Sequence, residues 1–184
     1  MTVPHRPRAD AARNRAGILR AARELLAVRG ETVGVDEVAR HAGVAVGTLY
    51  RHFPTKADLV GTVVDELAER VSAALDEAVA RAESGGGAFV EVAVLAERIA
   101  EAAGTNRAIG AAVRALAVHG THRAARLVAA GHAEGTVHRD VTAADLMLLL
   151  TTLPGDELPE PARRRWVQLT LRALAAGPSP AEAG

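Results

Sequence analysis

VGVDEVARHAGVAVGTLYRHFPTK, residues 33–56, holds two short amphipathic stretches on either side of Gly43. In the first, Val35, Val38, Ala39 and Ala42 recur at helical spacing, so one side is apolar while Asp36, Glu37 and Arg40 stay on the other. Gly43 follows the last periodic residue, where a left-handed conformation stops a helix and reverses the chain. Val44 is placed to fill the corner. In the second stretch Val46, Leu49 and Phe53 fall three and four apart and turn inward. That leaves Thr48, Arg51 and His52 on a polar face, with small Ala45 and Gly47 at the helix start, where they permit close backbone approach to a groove. Two short helices joined at such a bend are the layout of a helix-turn-helix reader of nucleic acid.

Pro54 discourages continuation of the second helix, and Thr55-Lys56-Ala57-Asp58 has the form of a capping box that opens another. Lys56, the sole lysine, then falls in a first turn whose amides favour a phosphate. Upstream, residues 10–29 form a first helix with Ile18, Ala22, Leu25 and Leu26 on its stripe and Gly30 as its stop. Residues 1–9, with two prolines and two arginines, are expected as a flexible basic arm able to enter a minor groove.

Through AGVAVGTLYRHFPTKADL and the preceding ILRAARELLAVRG, the chain closely resembles the tetracycline-repressor (TetR) family of bacterial transcriptional regulators. The resemblance is dense over the first third and is one of helical layout beyond Leu59. It implies that Thr48, Tyr50, His52 and Lys56 hold backbone phosphates while Ala45, Val46, Gly47 and Arg51 face base edges. It also implies an all-α fold of about nine helices, with an N-terminal three-helix DNA-binding domain over residues 1–55 and a helical regulatory and dimerisation domain over 56–184. The chain departs from the family where a long polar side chain is often found and Ala45 and Val46 stand instead, which shifts readout toward thymine methyls and DNA shape. Its second helix is capped by Gly34, which has no side chain to bond.

Charge distribution supports the same partner. The formal net charge is zero, but residues 1–60 carry ten Arg or Lys against six Asp or Glu, and the remainder twelve against sixteen. With no cysteine, disulfides, thiolate catalysis and cysteine-based zinc sites are excluded. Three serines, no phosphate loop and no nucleophile elbow leave catalysis without its parts, so no enzyme and no cofactor is expected. No signal peptide or membrane span is read, and a cytoplasmic chain is expected.

Further helices are expected over residues 56–83, with Leu59, Val63, Leu67, Val71 and Leu75 at four-residue spacing, and over 88–103, with Val90, Val94 and Ile99 among the apolar positions. Others follow over 107–118, 121–135, 142–153 behind a second capping box Thr142–Asp145, and 161–176 with Trp166, Leu169 and Leu174. The tail beyond Pro178 is expected to fray. Residues 142–153 are apolar on too many sides for a monomer surface, and the resemblance implies a homodimer through the last two helices. Such a pair would read a palindromic double-stranded operator in successive major grooves.

The body between Val63 and Leu153 would hold a small, largely apolar effector of unreadable identity, since Phe89 is its only aromatic. Arg98, Arg107 and Arg114 could anchor a carboxylate if buried, though surface solvation is the simpler role. His119, His122, His132 and His138 suggest a metal, but Gly120 breaks the closest pair and no metal is assigned. The expected function is therefore a ligand-responsive repressor. Alternatives are an activator, a constitutive DNA-binding regulator, or a helical interaction protein that has lost DNA binding.

Overall fold

A computed structural model describes residues 7–116 and 120–177. Among these there are nine α-helices, α1 Pro7–Arg29, α2 Val35–His41, α3 Val46–His52, α4 Lys56–Arg81, α5 Ala88–Thr105, α6 Ala108–Leu116, α7 Thr121–Glu134, α8 Ala143–Thr151 and α9 Glu160–Leu174, with a 3-10 turn Gly30–Thr32 after α1 and a π-helical turn Ala82–Gly86 after α4. The all-α expectation therefore holds. No strand occurs among the described residues, only an isolated bridge between Val137 and Ala175.

The expected basic arm over residues 1–9 needs correction at its end, because Pro7, Arg8 and Ala9 already belong to α1. Proline suits a first helical turn, where its missing N–H would have had no partner and its fixed φ is already helical. The rest of that arm, His119 and the tail from Pro178 lie outside the described residues.

Both capping boxes form. The Thr55 hydroxyl accepts from the Asp58 amide at 3.1 Å while the Asp58 carboxylate takes the Thr55 amide at 2.9 Å, which opens α4. Thr142 and Asp145 repeat the arrangement at α8, at 3.2 and 2.8 Å. The Thr142 hydroxyl and amide hold the Asp145 carboxyl below the usual carboxylate range. On α4 the expected ladder is buried at Leu59, Val63, Leu67 and Leu75.

The inner face of α5 is Val92, Leu95, Ala96, Ile99, Ala100 and Ala103, whereas Val90 and Val94 are 56% and 40% exposed. The helix is apolar around much of its circumference, so spacing alone does not say which side turns inward. Alanines line much of the contact among the body helices: Ala78 on α4, Ala96 and Ala100 on α5, Ala112 on α6 and Ala124 on α7 are all buried. With so little side chain between them, helix axes can approach to about 8 Å.

Among the described residues one charged group goes inside. Glu91, 8% exposed, accepts from Arg81 Nε at 2.9 Å, so its desolvation is offset by a charge-assisted bond between α4 and α5.

Candidate nucleic-acid interface

Helix α2 starts at Gly34, extended and without a side-chain cap bond, as the sequence implies. It ends in a tight reversal in which the Gly43 amide donates to Arg40 O at 3.2 Å and the Val44 amide to Ala39 O at 3.0 Å. Gly43 has φ +69°, a conformation that a side chain would penalise by about 1–2 kcal/mol. Helix α3 then begins after extended Ala45, whose carbonyl takes the Thr48 and Leu49 amides at 2.8 and 3.2 Å.

Leu49 is fully buried and Phe53 is 2% exposed, and they press α3 onto the core shared with α1 and α2. This orientation turns the opposite side of α3 outward. Ala45, Gly47, Tyr50 and Arg51 are exposed, while Val46, Thr48 and His52 are half-buried at the edges of that face. Tyr50 shows 46% of its surface although aromatic side chains are ordinarily covered, which is unusual in a chain with one tyrosine. Arg51 lies along its own helix, with Nε donating to Gly47 O at 3.3 Å. Lys56 is exposed beside α3, and its ammonium donates to Glu31 O at 2.5 Å, leaving two of its three protons for another acceptor. Among the described residues no carboxylate pairs with Arg51 or Lys56, so this face carries two unneutralised cationic side chains.

Side-chain contacts brace this platform. His41 Nε2 hydrogen-bonds Glu24 at 2.7 Å, while ion pairs join Arg29 to Glu37 at 2.5 Å and Arg23 to Glu66 at 2.5 Å, tying α1 to α2 and to α4. Arg15 was not singled out by sequence. It sits with its guanidinium carbon 5.2 Å from the Phe53 ring centroid, a cation–π contact that places another positive group beside the end of α3. No local spacing signals that pairing, because the partners are brought together only by the packing of α1 on α3.

In the body, a cleft of about 460 Å³ opens between α5 and α9, bordered by Glu97, Glu101, Thr105, Arg163, Arg164 and Gln168. Arg163 lies flat over Gly104, where a Cβ would collide with its guanidinium at 2.1 Å, and donates to Leu158 O at 2.5 Å. Charged and polar side chains border the cleft, and Ala100 and Val167 also line it. Phe89 is half-buried against the core. Of the three arginines considered as anchors, Arg98 and Arg114 are exposed and Arg107 is paired with Asp156 at 2.6 Å. His132 bonds the carbonyl of His138 at 3.1 Å. Among the described residues no helix is long and apolar enough to cross a membrane.

On α8, Leu146, Met147, Leu149 and Leu150 are buried within the chain, but Ala144 and Leu148 face outward, Leu148 with 62% of its surface. On α9, Val167, Leu171 and Leu174 pack inward, while Leu169 on the far side is 50% exposed in line with Ala162, half-buried Trp166 and Ala173. Each of these helices thus presents an apolar leucine, Leu148 or Leu169, away from its own core, with smaller or half-buried apolar residues beside it.

Residues 18–63 match the family model described as bacterial regulatory proteins, tetR family. Among solved structures, the TetR transcription regulatory protein from Mycobacterium vanbaalenii is 32% identical, over 91% of this chain and 98% of that one, with a TM-score of 0.55. A structure solved for the molecular basis of control of antibiotic production by bacterial hormones is 27% identical, over 88% and 97%, with a TM-score of 0.67. RolR, solved in complex with resorcinol, shares the fold at 22% identity, 96% and 93% coverage and a TM-score of 0.62. No curated protein matches the chain.

Proposed function

The chain belongs to the TetR family of bacterial regulatory proteins, and from that membership and its surface we propose a ligand-responsive repressor that grips a palindromic operator as a homodimer. Residues 1–55 act as the reading head and 56–184 as the regulatory and pairing body. The observation that carries this reading is the outward face of α3, where Tyr50 and Arg51 stand exposed on a helix anchored by buried Leu49 and Phe53. Thr48, Tyr50, His52 and Lys56 hold phosphates of the duplex, and Ala45, Val46, Gly47 and Arg51 lie against base edges. Arg51 is the long cationic side chain of that set, suited to bidentate contact with guanine.

Pairing through these outward sides of α8 and α9 buries Leu148, Trp166 and Leu169 and sets two heads on one face of the duplex, one helical turn apart. Release follows when a small, largely apolar effector enters the helical body and α4, which leads directly from the head, is displaced. The resorcinol complex of RolR supports a small-molecule role for a body of this fold.

The test is a gel-shift titration with duplex flanking the chain's own coding sequence, repeated across a salt series. A shifted band is expected, with the logarithm of the binding constant falling linearly with log salt. Absence of any retained duplex, or retention insensitive to salt, refutes the reading.

A further inference from the structure

The last turn of α1 leaves carbonyls without partners inside the helix, and the chain entering α6 leaves amides in the same condition. Here the two meet. The Arg107 amide donates to Ala27 O at 3.0 Å, so the negative end of α1 abuts the positive start of α6. The start itself is fixed by Asn106, whose side-chain carbonyl takes the Ala108 amide at 3.0 Å. The stem of Arg107 covers Gly30, where an added Cβ would meet its Cβ and Cδ at 3.5 Å. Its Nε donates to Asp156 at 2.6 Å, in the segment that joins α8 to α9.

Arg107 therefore touches the end of the head, the first turn of a body helix and the segment leading into a pairing helix. Helix α4 is the covalent link from head to body, and α1 already packs on it and bonds Glu66 through Arg23. The Arg107 contact adds an attachment away from the α4 axis and further restricts rotation of the head.

We propose that Arg107 is a positioning residue that sets the angle of the head on the body, and through it the half-site separation accepted by the paired heads. This rests on the operator-binding homodimer described above. Lengthening the spacer by one base pair moves a half-site by about 3.4 Å and rotates it by roughly 34°, so a fixed head registers the change strongly and a loosened one weakly. Arg107 and Asp156 are half-exposed, at 50% and 35%, so their ion pair contributes modestly and the stem over Gly30 shares the role.

The experiment selects duplexes from a random pool with the unaltered protein, then changes the spacer by one base pair in either direction. The unaltered protein is expected to lose about tenfold or more in affinity on that change, and Arg107→Ala only about threefold, with single half-site binding preserved. Arg107→Lys, which keeps stem and charge, restores most of the discrimination, and Asp156→Asn relaxes it partially. The ratio of affinities is insensitive to a uniform loss of folded protein. An unchanged ratio in Arg107→Ala overturns the proposal, even if all affinities drop together. An unaltered protein that selects no duplex defeats the operator reading itself, and this inference with it.

Discussion

Gly131 lies inside α7 with its Cα facing Val137, and replacing it by alanine sets two effects of opposite sign against each other. Helix propensity favours alanine over glycine by about 1 kcal/mol. The new Cβ, however, would stand 2.3 Å from Val137 Cγ2 and 2.9 Å from Val137 Cβ. The first distance is more than 1 Å, and the second about 0.6 Å, inside the usual carbon contact of about 3.5–4.0 Å. Val137 has little room to give, being 4% exposed, bridged to Ala175 and bonded through its amide to Gly131 O at 3.2 Å, and its branched side chain has few rotamers. Overpacking of this kind costs about 1–3 kcal/mol, and so close an approach belongs at the upper end. We expect Gly131→Ala to be destabilising by about 1–2 kcal/mol, a fall in melting temperature of about 3–6 °C for a chain of this size. Equilibrium denaturation at fixed protein concentration measures it. In a Val137→Ala background the 2.3 Å contact is gone and only the 2.9 Å contact with Cβ remains, so the penalty should shrink, giving a coupling of about 1 kcal/mol. Equal or greater stability of the single variant, or an undiminished penalty in the double variant, refutes the reasoning.

On the reading face, Arg51→Ala should weaken operator binding by about 1–3 kcal/mol and relax preference at its base, while Tyr50→Ala weakens binding and Lys56→Ala lowers the salt slope by about one. Unaltered affinity in all three variants rejects the assignment of that face. Leu148→Glu combined with Leu169→Glu should convert dimer to monomer in sedimentation velocity, and a persistent dimer would place the interface elsewhere. Asp76 is held below the usual carboxylate range by hydrogen bonds from Arg123, and Asp145 by those from Thr142. Because both folded values are depressed, their contribution is complete above about pH 4 and lost as pH falls through the folded values. Asp76→Asn should therefore flatten the acid limb of a stability-against-pH series, and an unchanged limb would deny that pair its role.

What was legible in the sequence was local. Gly43, the inward spacing of Leu49 and Phe53, the two capping boxes and the uncapped start at Gly34 each involve residues within a few positions of one another, where helical periodicity and capping chemistry act directly. The start of α1 is less legible, because two prolines point to an arm although a proline also suits a first helical turn. On α5 and α9 apolar residues surround too much of the helix for spacing to choose a side, which is why exposed Val94 and buried Ile99 looked alike. Pairings such as Arg15 with Phe53, Lys56 with Glu31, and Arg107 with Ala27 join distant segments, and no pattern along the chain encodes them. The same holds for the charged border of the α5–α9 cleft.

The alanine-lined contacts among α4, α5, α6 and α7 bear on how quickly such a body can respond. Leucine or methionine walls can swing aside to admit a guest, but a methyl group on a backbone has nowhere to turn. An effector of the kind proposed above, entering at those alanine contacts, would have to part helices as well as turn the buried leucines beside them, so its arrival would be paced by rigid-body movement on the microsecond-to-millisecond scale rather than by rotamer flips alone.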